Sequence, residues 1–187
     1  MASPEDLQTI RQHFVHHFKG HELTELQWQD GPMKNVASWF KVLRFAPGTH
    51  NSLWVYVSVG ASRLSAQARK LEFVILSAYE SPRFVELITM TAHYHSRHNL
   101  SVGDTVPLGE PWVPESHCHS YLVSRPYPLG PEFEVCNTAD GHIHTFWLLP
   151  ITDAERNFKI KNGVDALEER FEDVGLEYWN PARDSVL

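Results

Sequence analysis

Apolar positions along this chain recur in two rhythms, one near 3.6 residues and one of two residues, and the order of those rhythms outlines a fold. Leu7, Ile10, Phe14 and Phe18 fall at helical spacing between a helix start at Ser3, Pro4 and Asp6 and a stop at Gly20. Three stretches of strand length follow, Ser38 to Phe45, Leu53 to Val59 and Lys70 to Leu76, each enriched in β-branched and aromatic residues. In the second, Leu53, Val55, Val57 and Val59 share one face, and Pro47-Gly48-Thr49-His50-Asn51 forms the turn before it. Pro82 opens a second helix with Phe84, Leu87, Ile88 and Thr91 as its buried stripe, ending near Asn99.

Prolines at 107, 111, 114, 126, 128 and 131 then bracket one strand-like piece, His117 to Ser124, and predict a region that is mostly loop. Glu132 to Thr138 and His142 to Leu149 flank Ala139-Asp140-Gly141, and Asp-Gly between apolar runs is a hairpin signal. Phe146 to Leu149 reads as a strand that Pro150 ends, because proline has no amide hydrogen to give a neighbouring strand. Thr152-Asp153-Ala154-Glu155 fits a capping box, with the Thr152 hydroxyl accepting from the Glu155 amide and the Glu155 carboxylate accepting from the Thr152 amide. Gly163 breaks that helix. A final one, Val164 to Val174, places Val164, Leu167, Phe171 and Val174 on one stripe before Gly175. This order predicts an α+β fold, a twisted, mixed, mainly antiparallel sheet with helices covering one face.

The unit Leu148-Leu149-Pro150-Ile151-Thr152, followed by Glu155, Gly163 and Ala166-Leu167, closely resembles the C-terminal end of the suppressor of fused domain. Trp54 to Gly60, Leu71 to Leu76 and Leu100-Ser101-Val102-Gly103-Asp104-Thr105 stand in that family's order and spacing, so the resemblance spans Asn51 to Phe171. None of these pieces is a catalytic motif. The resemblance implies a protein-binding role. The animal member is a two-domain inhibitor that clasps a short peptide of a transcription factor, and stand-alone single-domain members resemble immunity proteins that neutralise toxins. With one such domain expected over residues 1–187, no peptide-binding residue is carried over.

Composition narrows the function classes. With 187 residues and 42% apolar content the chain has enough material for a sizeable core. A formal net charge of -7 repels phosphate backbones, which excludes a general nucleic-acid binder and favours a basic protein partner such as a cationic toxin domain. Met1 to Asp6 is acidic and carries no apolar core segment, and no run approaches the roughly 20 apolar residues of a membrane span, so a soluble, cytoplasmic protein is expected. Cys118 and Cys136 form no CxxC pair and are expected to be free, partly buried thiols.

Three groups of residues are candidates for function, each with a plainer alternative. Asp165, Glu168, Glu169, Glu172, Asp173 and Glu177 face Arg170 alone among basic residues over Asp165 to Glu177, so the last helix either steers a cationic partner or is a solvated outer face. Trp54 and Tyr56 lie opposite the Leu53, Val55, Val57, Val59 stripe, and either form a contact surface or sit beneath a covering helix. His117 and His119, with His142 and His144, each point two imidazoles to one strand face. They are solvent-side polar residues or the ligands of a metal-dependent enzyme, the alternative function. His93, His95 and His98 read as solvated groups at a helix C-terminus, and His13, His16 and His17 as the wet flank of the first helix. The chain has no phosphate-cradling glycine loop, dinucleotide fingerprint, HExxH or Gly-x-Ser-x-Gly elbow. The expected function is therefore non-catalytic binding of a protein, of immunity or inhibitory type, with no cofactor.

Overall fold

A computed structural model describes residues 4–30 and 37–187. In chain order the elements are α1 (Pro4–His17), β1 (Leu23–Leu26), β2 (Lys41–Phe45), β3 (Trp54–Val59), β4 (Leu71–Ser77), α2 (Arg83–His98), β5 (Thr105–Pro107), β6 (Cys118–Ser124), α3 (Pro131–Glu134), β7 (Val135–Thr138), β8 (Gly141–Thr152), α4 (Asp153–Asn162) and α5 (Val164–Val174). The fold is α+β. Ser3, expected at the start of the first helix, lies outside the described residues. Chain contacts divide the protein into two compact units, Met1–Leu100 with Arg125–Trp147, and Ser101–Ser124 with Leu148–Leu187.

The first unit is built on a sheet of order β1-β2-β3-β4-β8, antiparallel from β1 to β4 and parallel between β4 and β8, with β7 antiparallel to β8. Register shows how the faces are covered. Phe45 stands opposite Val55 on one face, where Phe18, following α1, brings its ring 4.7 Å from that of Phe45. Arg44 stands opposite Tyr56 on the other face, where Phe84 of α2 lies 5.2 Å from the Tyr56 ring. Helices therefore cover both faces of this sheet, which corrects the one-face expectation. Burial on two sides is also why β4 reads as an almost unbroken apolar run, as a strand with a parallel neighbour does.

Local signals account for most boundaries in this unit. Ile10, Phe14 and Phe18 are buried as their spacing predicts, and so are Phe84, Leu87, Ile88 and Thr91 of α2. Asn99 ends α2 in the left-handed region at φ 52, a conformation asparagine tolerates better than most residues. The β7–β8 hairpin turns through Ala139-Asp140 with Thr138 opposite Gly141. Two details differ from expectation. Pro131 sits at the first position of α3, so the stretch from Glu132 starts as a helical turn and becomes extended at Val135. β1 has no sequence alternation to mark it, and its strand conformation comes from pairing, Leu23 opposite Phe45 through Leu26 opposite Val42.

The second unit contains β5 paired antiparallel to β6, the C-terminal part of β8, α4, α5 and the tail that follows. Its core includes Trp112, Tyr121, Leu122, Leu148, Ile151, Leu167 and Phe171, all buried. Trp112 pins the proline-rich loop, its amide donating to the Cys118 carbonyl at 2.8 Å and its ring meeting Tyr121 edge-on at 6.2 Å. Gly103 has φ 89, and a Cβ there would lie 3.5 Å from Val164 Cγ1, so Gly103-Asp104 turns tightly beneath the start of α5. Its amide donates to Val123 O and Asp104 O accepts from the Val123 amide, both at 2.8 Å.

The capping box forms as the sequence predicts, with Thr152 Oγ1 accepting from the Glu155 amide at 3.3 Å and Glu155 Oε2 accepting from the Thr152 amide at 2.9 Å. Two expectations fail nearby. β8 runs through Pro150 to Thr152, because the register with β4 ends at Val74 opposite Trp147 and the missing amide hydrogen of Pro150 falls beyond that ladder. Val174 is 56% exposed, since Gly175 turns the chain at φ 64 and the last position of the stripe leaves the core.

Candidate functional site

The carboxylates of α5 are arranged by the two apolar anchors of that helix. Leu167 and Phe171 point inward, which leaves Asp165, Glu169, Glu172 and Asp173 exposed. Among the described residues none of these four makes an ion pair, and Arg170 is their only basic neighbour on the helix. Glu168 is different. It is half-buried and accepts from Ser124 Oγ of β6 at 2.9 Å, so the site is narrower than the sequence suggested.

Trp54 and Tyr56 share a face of β3 but meet different surroundings. Tyr56 is 1% exposed beneath Phe84, and its hydroxyl oxygen accepts from the Ser81 amide at 3.0 Å, which removes it from any flat contact surface. Trp54 remains half-buried, with the Arg44 guanidinium 5.3 Å over its ring. Arg44 also pairs with Glu80 and donates to Thr24 Oγ1. Beside this cluster lies a groove of about 360 Å³, lined by Trp28, Arg44, Tyr56, Glu80, Pro82 and Val85 among others. It offers apolar walls and a carboxylate rim, and among the described residues that line it none are arranged as an acid-base or nucleophilic pair.

Sequence reasoning missed the strongest electrostatic feature of the second unit. Arg183, 7% exposed, donates from Nη1 to Glu155 Oε1 at 2.6 Å and from Nη2 to Glu155 Oε2 at 2.9 Å. Its Nη2 also donates to Pro150 O at 3.2 Å, and its guanidinium lies 5.9 Å from the Phe171 ring centre. Glu155 further accepts from the Val186 amide at 3.1 Å. Burial alone would raise this carboxyl, but the Arg183 fork and the backbone amides outweigh it and hold the group below the usual carboxylate range. The capping-box glutamate is thus also the anchor of the tail, which Ser116 Oγ holds again by donating to Pro181 O at 2.7 Å.

The family model for the suppressor of fused protein, SUFU, matches residues 38–184. The chain belongs to the suppressor of fused family. It is similar to the crystal structure of a SUFU homologue from Neisseria gonorrhoeae, with 32% identity, a TM-score of 0.85 and coverage of 99% of this chain and 98% of that one. More distant solved structures share the fold. The Sufu-Fu complex aligns at TM-score 0.71 and 15% identity over 96% of this chain and 91% of the other. Drosophila Suppressor of Fused aligns at 0.72 and 13% identity over the whole chain, which spans 54% of that protein. No curated protein matches.

In this suppressor of fused relative the histidines are dispersed among other tasks. His117 and His119 are exposed on either side of buried Cys118, and His117 Nδ1 lies 3.7 Å from Asp184 Oδ1. His142 Nδ1 bonds Asn137 Oδ1, while His144 Nδ1 is 3.6 Å from Glu134 Oε1. Among the described residues no three His, Cys, Asp or Glu side chains converge as a metal site requires. His95 overturns its solvated reading. It is fully buried, bonds Arg69 O through Nε2 at 2.8 Å and meets Phe73 edge-on at 5.4 Å, because its helix position faces the sheet. Both cysteines are free, and burial pushes their thiols up to about 11, so neither is a nucleophile at neutral pH.

Proposed function

We propose that this protein is a non-catalytic binding module that occludes a cationic protein partner, an inhibitory or immunity-type role of which neutralising a basic toxin domain is one form. The observation that carries the proposal is the outer face of α5, where Asp165, Glu169, Glu172 and Asp173 stand exposed with no ion pair among the described residues. Self-repulsion of that kind costs a helix some stability and is offset when an opposite charge arrives. Membership of the suppressor of fused family supports a binding role, since one family fold is known in a complex of Sufu with Fu. Trp54, half-exposed under Arg44, supplies an aromatic edge for a second contact. Two free buried thiols fit a reducing compartment, the cytoplasm, and among the described residues no helix is long and apolar enough to cross a membrane.

The mechanism has no chemical step. Electrostatic attraction gathers the partner, and shape complementarity then blocks its working surface. The test is affinity capture from lysate at low salt with the wild-type protein and with Glu169→Lys, Glu172→Lys. A basic protein held by the wild type and lost by the variant supports the reading; equal recovery on both, or stoichiometric Zn, Fe or Mn in purified protein, overturns it.

A further inference from the structure

We propose that α3 is held on α1 by a histidine-dependent latch that opens in acid. The latch centres on Phe133, which is fully buried, with its ring 5.3 Å from Phe14, 5.8 Å from Phe18 and 5.0 Å from His17. Its carbonyl oxygen accepts from His13 Nε2 at 3.0 Å. His17 is half-buried and edge-on to two phenyl rings, Phe18 at 4.9 Å and 76° and Phe133 at 5.0 Å and 60°. Neither ring offers a hydrogen-bond acceptor, so a charged imidazole has nothing to bond on its buried side.

The groups facing His17 are unevenly signed. His13, His16 and His21 approach from its own stretch of chain, and Glu132 of α3 is the one carboxylate among them. β3 and β7, which also pack on α1, carry no charged side chain. Burial first, then His13, holds the His17 imidazole below its ordinary pKa, while Glu132 pulls the other way. At neutral pH the site is a ring cluster. As pH falls, protonation of His17 places a cation in an apolar seat that only the Glu132 carboxylate offsets. His17 is the group that must leave its apolar seat, and Phe133 loses its wall. Gly130, at φ 79, provides the pivot on which α3 swings.

Hydrogen–deuterium exchange of the peptide covering residues 127–134, corrected for intrinsic pH dependence and followed from pH 8.0 to 5.0, tests the latch. Protection is expected to fall by about tenfold between pH 7.5 and 5.5, while residues 54–59 of β3 stay protected. His17→Gln should flatten that response. Glu132→Gln, which removes the group that raises the His17 imidazole, should enlarge the acid loss and extend it to lower pH, a readout that does not need the His17 variant to fold well. Protection independent of pH, the same loss in β3, or an unaltered response in His17→Gln would each overturn the proposal.

Discussion

Glu72 and Glu155 are both completely buried glutamates, one in each compact unit, and their carboxyls are displaced in opposite directions. Glu72 rests in a cradle of neutral donors, with Ser58 Oγ at 2.5 Å, Ser62 Oγ at 2.7 Å and the amides of Gly60, Ala61 and Ser62 at 3.0, 3.1 and 3.2 Å. Those donors stabilise the carboxylate, yet burial prevails and the group is raised above its ordinary value. Glu155 has a full cation instead, and the same burial is overcome. Satisfying hydrogen bonds and neutralising charge are therefore separate requirements. The β3–β4 connection meets the first, and the C-terminal tail meets both.

The largest expected effect is on the paired site. Arg183→Ala leaves Glu155 as an uncompensated buried charge and should cost about 3–5 kcal/mol, read as a lower urea midpoint by circular dichroism. Phe171→Ala, beneath the same guanidinium, should cost a similar ~3–5 kcal/mol as a cavity mutation. Glu72→Gln presents an amide group to donors that need an acceptor, and the loss should be smaller, about 1–3 kcal/mol. An unchanged midpoint in Glu72→Gln would show that the cradle does not constrain the loop.

The comparison sharpens when pH is varied. Glu155 is lowered from an ordinary value near 4.5, so its contribution is complete above that value and disappears as pH falls through the folded-state pKa. Glu72 is raised, so its contribution is complete below 4.5 and declines as pH rises through its folded-state pKa. Across that acid range the stability advantage of wild type over Glu155→Gln should grow with pH, and its advantage over Glu72→Gln should shrink. Parallel trends in the two variants would break the contrast. Thr152→Ala should have the smallest effect, about 1 kcal/mol for a lost N-cap, because Glu155 keeps Arg183.

How much of this was legible from the sequence depended on distance along the chain. The Thr152–Glu155 box, the Asp-Gly hairpin and the α2 stripe are local, and each appears as expected. The partner of Glu155 is 28 residues away in a tail without periodicity, so nothing in the sequence announces it. Glu72 did leave a trace, since an acid inside the apolar run Leu71 to Leu76 must find donors if the run is buried, and Gly60-Ala61-Ser62 supplies backbone amides after β3. His95 shows the limit of reading polarity by residue type, because it is buried with a hydrogen bond to the main chain, whereas Tyr56 takes the covered one of its two expected settings, beneath Phe84 of α2. For the candidate site, the acidic arc of α5 was legible from helical spacing. The withdrawal of Glu168 was not, since it depends on Ser124 of β6.

Association kinetics test the exposed acidic arc of α5 most directly. With the captured partner, stopped-flow association of wild type should slow markedly as ionic strength rises and the Debye length shortens from about 10 Å at 0.1 M to about 3 Å at 1 M. Glu169→Lys, Glu172→Lys should bind slowly at low salt and lose most of that salt dependence, with its urea midpoint unchanged. Equal low-salt rates for the two proteins would contradict the claim and leave α5 as a solvated face.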